Sequence, residues 1–188
     1  MIISYIKVYL KNGYMITTYS HSKNLIKGYK NSKIASGEKQ DCVVRAMASA
    51  LDVDYDSAHG LVKSTMNREN NKGTKNFEIV KAMRKFKKEG LEIAGKTFKV
   101  DLLGKSKIRN TYKLHGELID RKKTVKSFIK DNQKGTYMVL VSKHAFTVKD
   151  GVLIDNVGEE FRPTRKVLGA FGFDLVKDNV SGEQLSLF

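Results

Sequence analysis

Cysteine and proline each occur once in the 188 residues, as Cys42 and Pro163, and no apolar run comes near the roughly 18 residues that cross a bilayer. A single thiol excludes an intramolecular disulfide framework and a cysteine-rich zinc site, and it fits a reducing compartment, the cytosol by default. No cofactor is expected. The apolar opening MIISYIKVYL is too short, and broken too soon by Lys7, to read as a secretion signal, so membrane association is not expected either. Acidic residues are also scarce: 20 Asp and Glu stand against 35 Lys and Arg, a formal net charge of +15. Such a field draws a protein toward polyanions, nucleic acid foremost. The excess is mostly lysine, spread over most segments, without a base-reading motif interleaved with aromatics, so non-specific DNA contact is expected rather than sequence readout. An AT-rich coding sequence would by itself enrich Lys, Asn and Ile together.

The length and an apolar fraction of 40% suit one well-cored domain with appendages. Residues 1–36 read as an N-terminal hairpin and loop, 37–176 as the main domain, and 177–188 as a flexible tail. Lys11-Asn12-Gly13 between β-branched and aromatic residues predicts a hairpin at a sheet edge, followed by a polar loop over 21–39. A helix is predicted over 54–64, capped by Asp54 or Asp56, with Tyr55, Ala58, Leu61 and Val62 buried. Another runs to Gly90 with Phe77, Val80, Ala82, Met83 and Phe86 inward. Its outer face, Lys81, Arg84, Lys85, Lys87 and Lys88, is the densest positive patch, either an anion contact or a solvated face. Residues 91–123 offer only short mixed strands near Thr97–Leu103 and a basic run, Arg121-Lys122-Lys123. A short helix is predicted over 124–132 and a strand near 171–176.

The stretch GEKQDCVVRAMASAL, Gly37 to Leu51, places the lone thiol where a loop becomes a helix. Asp41 is the predicted N-cap, and Val44, Met47, Ala48 and Leu51 recur at helical spacing. A helix N-terminus favours thiolate, the nucleophilic form. A lone cysteine is equally read as a small buried apolar residue.

Residues 135–156, GTYMVLVSKHAFTVKDGVLIDN, form the clearest β region. Tyr137–Val141 has the unbroken apolar character of a strand buried on both faces, and Asp150-Gly151 predicts a tight hairpin turn. His144, Phe146 and Val148 share one face, and either Asp155 or Asn156 would sit beside His144 across the hairpin. The other histidines, His21, His59 and His115, read as surface residues.

Thiol acyl transfer needs a thiolate, an imidazole to hold and return a proton, and a group that fixes the imidazole tautomer. Cys42, His144 and Asp155 or Asn156 fill those roles, with the Cys42 backbone N–H and the Gln40 side-chain amide as oxyanion donors. The order, helix-borne Cys, strand-borne His, then a carboxylate or amide on the next strand, is that of the papain-like cysteine peptidases. QDCVVRAMA together with KHAFTVKDGVLID resembles small phage and bacterial members of that superfamily over residues 37–156. The resemblance implies an α+β fold in which a helical part carrying the Cys helix packs on an antiparallel sheet carrying the His. It further implies Cys42 as nucleophile, His144 as general base, Asp155 as orienting residue and Gln40 as oxyanion donor. Lys143 stands where relatives often carry glycine, and the glutamine lies nearer the cysteine than in papain itself.

The chain ends in Gln184-Leu185-Ser186-Leu187-Phe188. This pentapeptide resembles the motif by which bacterial replication and repair proteins bind the β sliding clamp. Leu187 and Phe188 would anchor in an apolar pocket, Leu185 in a smaller one, and Gln184 would set orientation. Together the two resemblances imply a phage-type thiol hydrolase recruited to the clamp in a bacterial host's cytosol. The alternative is a non-catalytic papain-like module that occupies the clamp and modulates replication.

Overall fold

A computed structural model describes residues 6–9, 15–155 and 163–179. The chain opens with strands β1 (Ile6–Tyr9) and β2 (Met15–His21), then α1 (Ser22–Leu25), a 3-10 turn at Tyr29–Asn31 and α2 (Lys33–Gly37). Helices α3 (Cys42–Leu51), α4 (Tyr55–Thr65) and α5 (Asn76–Glu89) follow, then β3 (Leu91–Ile93), β4 (Lys96–Leu102), α6 (Lys105–Ile108), β5 (Arg109–Leu114) and β6 (Glu117–Lys122). The last elements are α7 (Val125–Asp131), β7 (Thr136–Val141), β8 (His144–Lys149), β9 (Val152–Asp155) and β10 (Gly169–Asp178).

Among the described residues eight strands form one sheet in the order β1-β2-β9-β8-β7-β10-β4-β3. Every pair is antiparallel except β2 with β9, which run parallel. The α+β class and the predominantly antiparallel sheet thus agree with the sequence reading. The first hairpin extends the same sheet, because β2 pairs with β9, and β1 lies at the edge. The predicted turn at Lys11-Asn12-Gly13 lies outside the described residues. The expected loop over 21–39 contains the short helices α1 and α2, the second capped by the Ser32 hydroxyl, which accepts from the Ala35 N–H at 2.9 Å. At the other end β10 runs to Asp178, two residues into the expected tail.

Burial on both faces of β7 divides the core. Met138 and Leu140 face a cluster built from α3, α4 and α5, with Val44, Met47, Leu51, Ile79 and Met83 fully buried in it. Val139 and Val141 face the opposite way, onto Val125, Phe128 and Ile129 of α7 together with Phe146, Val148 and Leu153. The sheet is therefore covered by helix on both sides, and its central strands read as nearly continuous apolar runs. Helix α3 is apolar on almost every side and lies in the middle of the first cluster, as such a helix must. It stops at Asp52, in the left-handed region with φ 50°.

Helix α4 is capped as predicted by Asp54, whose carboxylate accepts from the Ser57 N–H at 2.8 Å. Helix α5 ends at Gly90, where φ is 82°, and buries Ile79, Ala82, Met83 and Phe86. Phe77, predicted to face inward, is 73% exposed. It lies about 200° around the helix from Ile79, so the two cannot share a buried stripe. Strands β5 and β6 make a separate ribbon joined by His115 and Gly116, both at positive φ, a primed hairpin turn. Both faces of this ribbon are largely solvated, so it lacked the alternation that marks a half-buried strand.

Candidate active site

Cys42 is the first residue of α3 and is half-buried. The helix is tied to β8 one turn later, where the Thr147 hydroxyl donates to the Ala46 carbonyl at 2.7 Å. Helix and strand thus run side by side in the same sense, with the start of α3 near the start of β8. Cys42, Gln40 and His144 consequently line one cleft of about 360 Å³, shared with Gly73, Thr74 and Lys75.

The His144 Nε2 lies 2.7 Å from an Asp155 carboxylate oxygen, and Asp155 is only 4% exposed. The strand register produces this pairing. Val148 stands opposite Leu153, so Asp155, two residues past Leu153, falls on the face that carries His144, Phe146 and Val148. Asn156, the other residue weighed for this role, lies outside the described residues. The His144 ring stacks on Phe146 with centroids 6.2 Å apart, which fixes its plane. With Nε2 engaged by Asp155, Nδ1 is the ring nitrogen left for the sulfur.

Burial alone would push the His144 pKa down, but the Asp155 hydrogen bond, then the hydrogen bond and charge of Cys42, push it up to about 9. The imidazolium is then the resting form at neutral pH. Because the folded value exceeds the ordinary 6.5, the stability this group contributes is whole below about 6.5 and is lost as pH rises through about 9. The His144 ring-proton resonance, followed by NMR, is expected to titrate with a midpoint near 9, and the midpoint should fall in Asp155→Asn. A wild-type midpoint at the ordinary histidine value would contradict the arrangement.

Asp41 occupies the predicted N-cap position without capping. Its buried carboxylate instead accepts from Arg45 at 2.7 Å and from the Tyr55 hydroxyl at 2.8 Å. Burial, then the charge of Asp41, raises the Tyr55 pKa, so the hydroxyl remains a donor. The first-turn N–H groups of α3 are accordingly not occupied by the Asp41 side chain. The Gln40 side chain is also held: its Oε1 accepts from the Gly73 N–H at 3.0 Å, which leaves its NH₂ as the donor available to the cleft.

A second cluster supports this wall. Glu38 receives Arg68 Nη2 at 2.6 Å and Nη1 at 3.2 Å, lies 3.0 Å from His59 Nε2 and accepts the Asn71 N–H at 2.8 Å. Burial would raise the Glu38 pKa, but the hydrogen bonds from Arg68, His59 and Asn71 bring it down to about 2. His59, expected at the surface, is therefore a buried partner at 5% exposure, whereas His115 is exposed in a turn. The backbone of His21 pairs with that of Asp155 across β2 and β9, a parallel adjacency no local pattern announced.

No known family model, curated protein or solved structure matches the chain. What this site can do rests on its own geometry.

That geometry brings together Cys42, His144, Asp155 and Gln40, the four residues singled out from sequence. It adds the wall from Gly73 to Asn76, at the end of the segment that leads into α5. The only signal there was Gly73-Thr74 just ahead of a helix start. Among the described residues no cluster of three His, Cys, Asp or Glu side chains is placed to hold a metal ion, and no helix is long and apolar enough to cross a membrane. Lys81, Arg84, Lys85, Lys87 and Lys88 are exposed along α5, while the tail residues Gln184, Leu185, Ser186, Leu187 and Phe188 lie outside the described residues.

Proposed function

We propose that the chain is a papain-like thiol hydrolase, delivered to a bacterial sliding clamp by its last five residues. The observation that carries the chemical half is the buried Asp155–His144 hydrogen bond on the cleft that Cys42 enters from a helix start. The Cys42 thiolate attacks the acyl carbon, and its electron pair becomes the new C–S bond while the carbonyl oxygen takes the negative charge. The Cys42 N–H and the Gln40 NH₂ hold that oxyanion. His144 gives its proton to the departing amine as the tetrahedral species collapses to a thioester. Neutral His144 then takes a proton from water, whose oxygen attacks the thioester; the C–S bond breaks with its electron pair going to sulfur, which releases the acid and restores the thiolate–imidazolium pair. Asp155 holds the ring through both steps.

The test is digestion of a peptide library made from a bacterial proteome, read by mass spectrometry. New termini absent from the Cys42→Ala digest are the expected result; identical termini from both proteins would remove the hydrolase reading.

The pentapeptide motif at 184–188 supports the second half, and the charge of +15 suits a body held beside clamp-encircled DNA. Deleting residues 184–188 is expected to weaken binding to the purified clamp at least a hundredfold in surface plasmon resonance, with Cys42→Ala binding like wild type. Undiminished binding by the shortened chain would reject the tether. The host cytosol is the compartment this reading requires. Clamp binding by a protein whose Cys42 proves inert would instead favour the non-catalytic module that modulates replication.

A further inference from the structure

The cleft beside Cys42 is lined by Lys75 on one side and Lys143 on the other, and by no carboxylate among the described residues. Lys75 immediately precedes α5, and Lys143 sits in the two-residue turn between β7 and β8, directly before His144. Both are exposed, and neither forms an ion pair among the described residues.

Lys143 has a further peculiarity. Its φ is 56°, in the left-handed region where a side chain is strained and glycine is not. It is one of seven non-glycine residues at positive φ among the described residues, and glycine would meet no strain at this position. On the opposite wall the Thr74 hydroxyl oxygen is buried without a hydrogen-bond partner. That oxygen is enclosed, like the unpartnered Ser22 and Ser49 hydroxyls, so it is not presented to a ligand in the cleft.

We infer that this cleft selects acidic peptides: a carboxylate flanking the acyl carbon is drawn between Lys75 and Lys143. The inference rests on Cys42 being the acyl acceptor, and it assigns the substrate class of that same site. Neutral and basic segments meet the Lys143 ammonium and that of Lys75, which Glu69 offsets only through space, and are disfavoured.

The charge preference is testable without knowing the substrate. Iodoacetate and iodoacetamide alkylate a thiolate by the same displacement and differ in charge, so the ratio of their rate constants at Cys42 reports the local potential. Intact-mass time courses at low ionic strength give the ratio for wild type, Lys75→Gln, Lys143→Gly, the double variant, and a control with Lys113→Gln and Lys122→Gln on the distant β5–β6 ribbon. Each cleft lysine removed is expected to lower the ratio roughly threefold and both together about tenfold, with molar salt collapsing the wild-type ratio toward that of the double variant. The control should lower it less than either single cleft variant. Lys143→Gly places glycine where the backbone prefers it, so loss of fold does not cloud the result. A double variant with the wild-type ratio, or a control that lowers the ratio as much, would overturn the inference while leaving the hydrolase standing. Inertness of Cys42 toward both reagents would overturn the hydrolase first and this inference with it.

Discussion

His144→Ala is expected to slow alkylation of Cys42 by iodoacetamide about a hundredfold at pH 6. An unperturbed thiol is ionised to less than about one part in a hundred at that pH, and only an adjacent cation makes thiolate the major species. In the folded chain that cation is the His144 imidazolium, held charged up to about pH 9 and seated by Asp155 at 2.7 Å. Removing the ring removes the counterion but leaves the helix start and Lys143 in place, so some enhancement over a free thiol should survive. Asp155→Asn keeps the ring and the shape but not the charge, and its alkylation rate should fall between the two. The measurement is an intact-mass time course at several pH values. Wild type should react faster than His144→Ala while His144 is charged, and the two rates should converge as pH rises through about 9. Superimposable curves would mean that sulfur and imidazole do not communicate, and the acyl-transfer mechanism would fall with them.

The arrangement of the candidate site was legible because it is carried by local patterns. An apolar helical repeat fixed where α3 begins and hence where Cys42 stands. The Asp150-Gly151 turn fixed the hairpin that returns Asp155 toward His144. The choice between Asp155 and Asn156 needed the register, because a shift of one residue exchanges the two faces of a strand. Other features depend on partners far apart in the chain. The parallel pairing of β2 with β9 joins residues more than 130 positions apart, and nothing near His21 marks it. Glu38, His59 and Arg68 each look like surface residues in their own surroundings, and become interior ones only when brought together. Phe77 misled in the opposite direction. Apolar character placed it in the core, but the helical angle set by Ile79, Met83 and Phe86 turned it to solvent.

Glu38→Ala is expected to cost about 3–5 kcal/mol of folding stability, the usual penalty for stripping one partner from a buried ion pair. Arg68, whose side chain is fully enclosed, would be left with an uncompensated guanidinium. Urea unfolding at neutral pH measures the loss. Replacing both partners by apolar residues, Glu38→Leu with Arg68→Met, should recover much of it, since no stranded charge remains. The wild-type pH dependence carries the same interaction with a defined sign. The Glu38 pKa is depressed to about 2, so its stabilisation is present above the unfolded value of about 4.5 and is lost as pH falls toward 2. The apolar double variant should lack that acid-side slope. Equal slopes, or a double variant no more stable than Glu38→Ala, would refute the assignment. The consequence extends to the cleft, because Glu38 holds the Asn71 N–H as Gln40 holds that of Gly73. Amide exchange over residues 67–75 should therefore accelerate in Glu38→Ala even where the protein stays folded. With that wall loosened, Gln40 loses the contact that orients its NH₂, so oxyanion binding should weaken although Cys42 and His144 are untouched. The ion pair is thus a positioning device, and the fold places it behind the segment that shapes the cleft opposite His144.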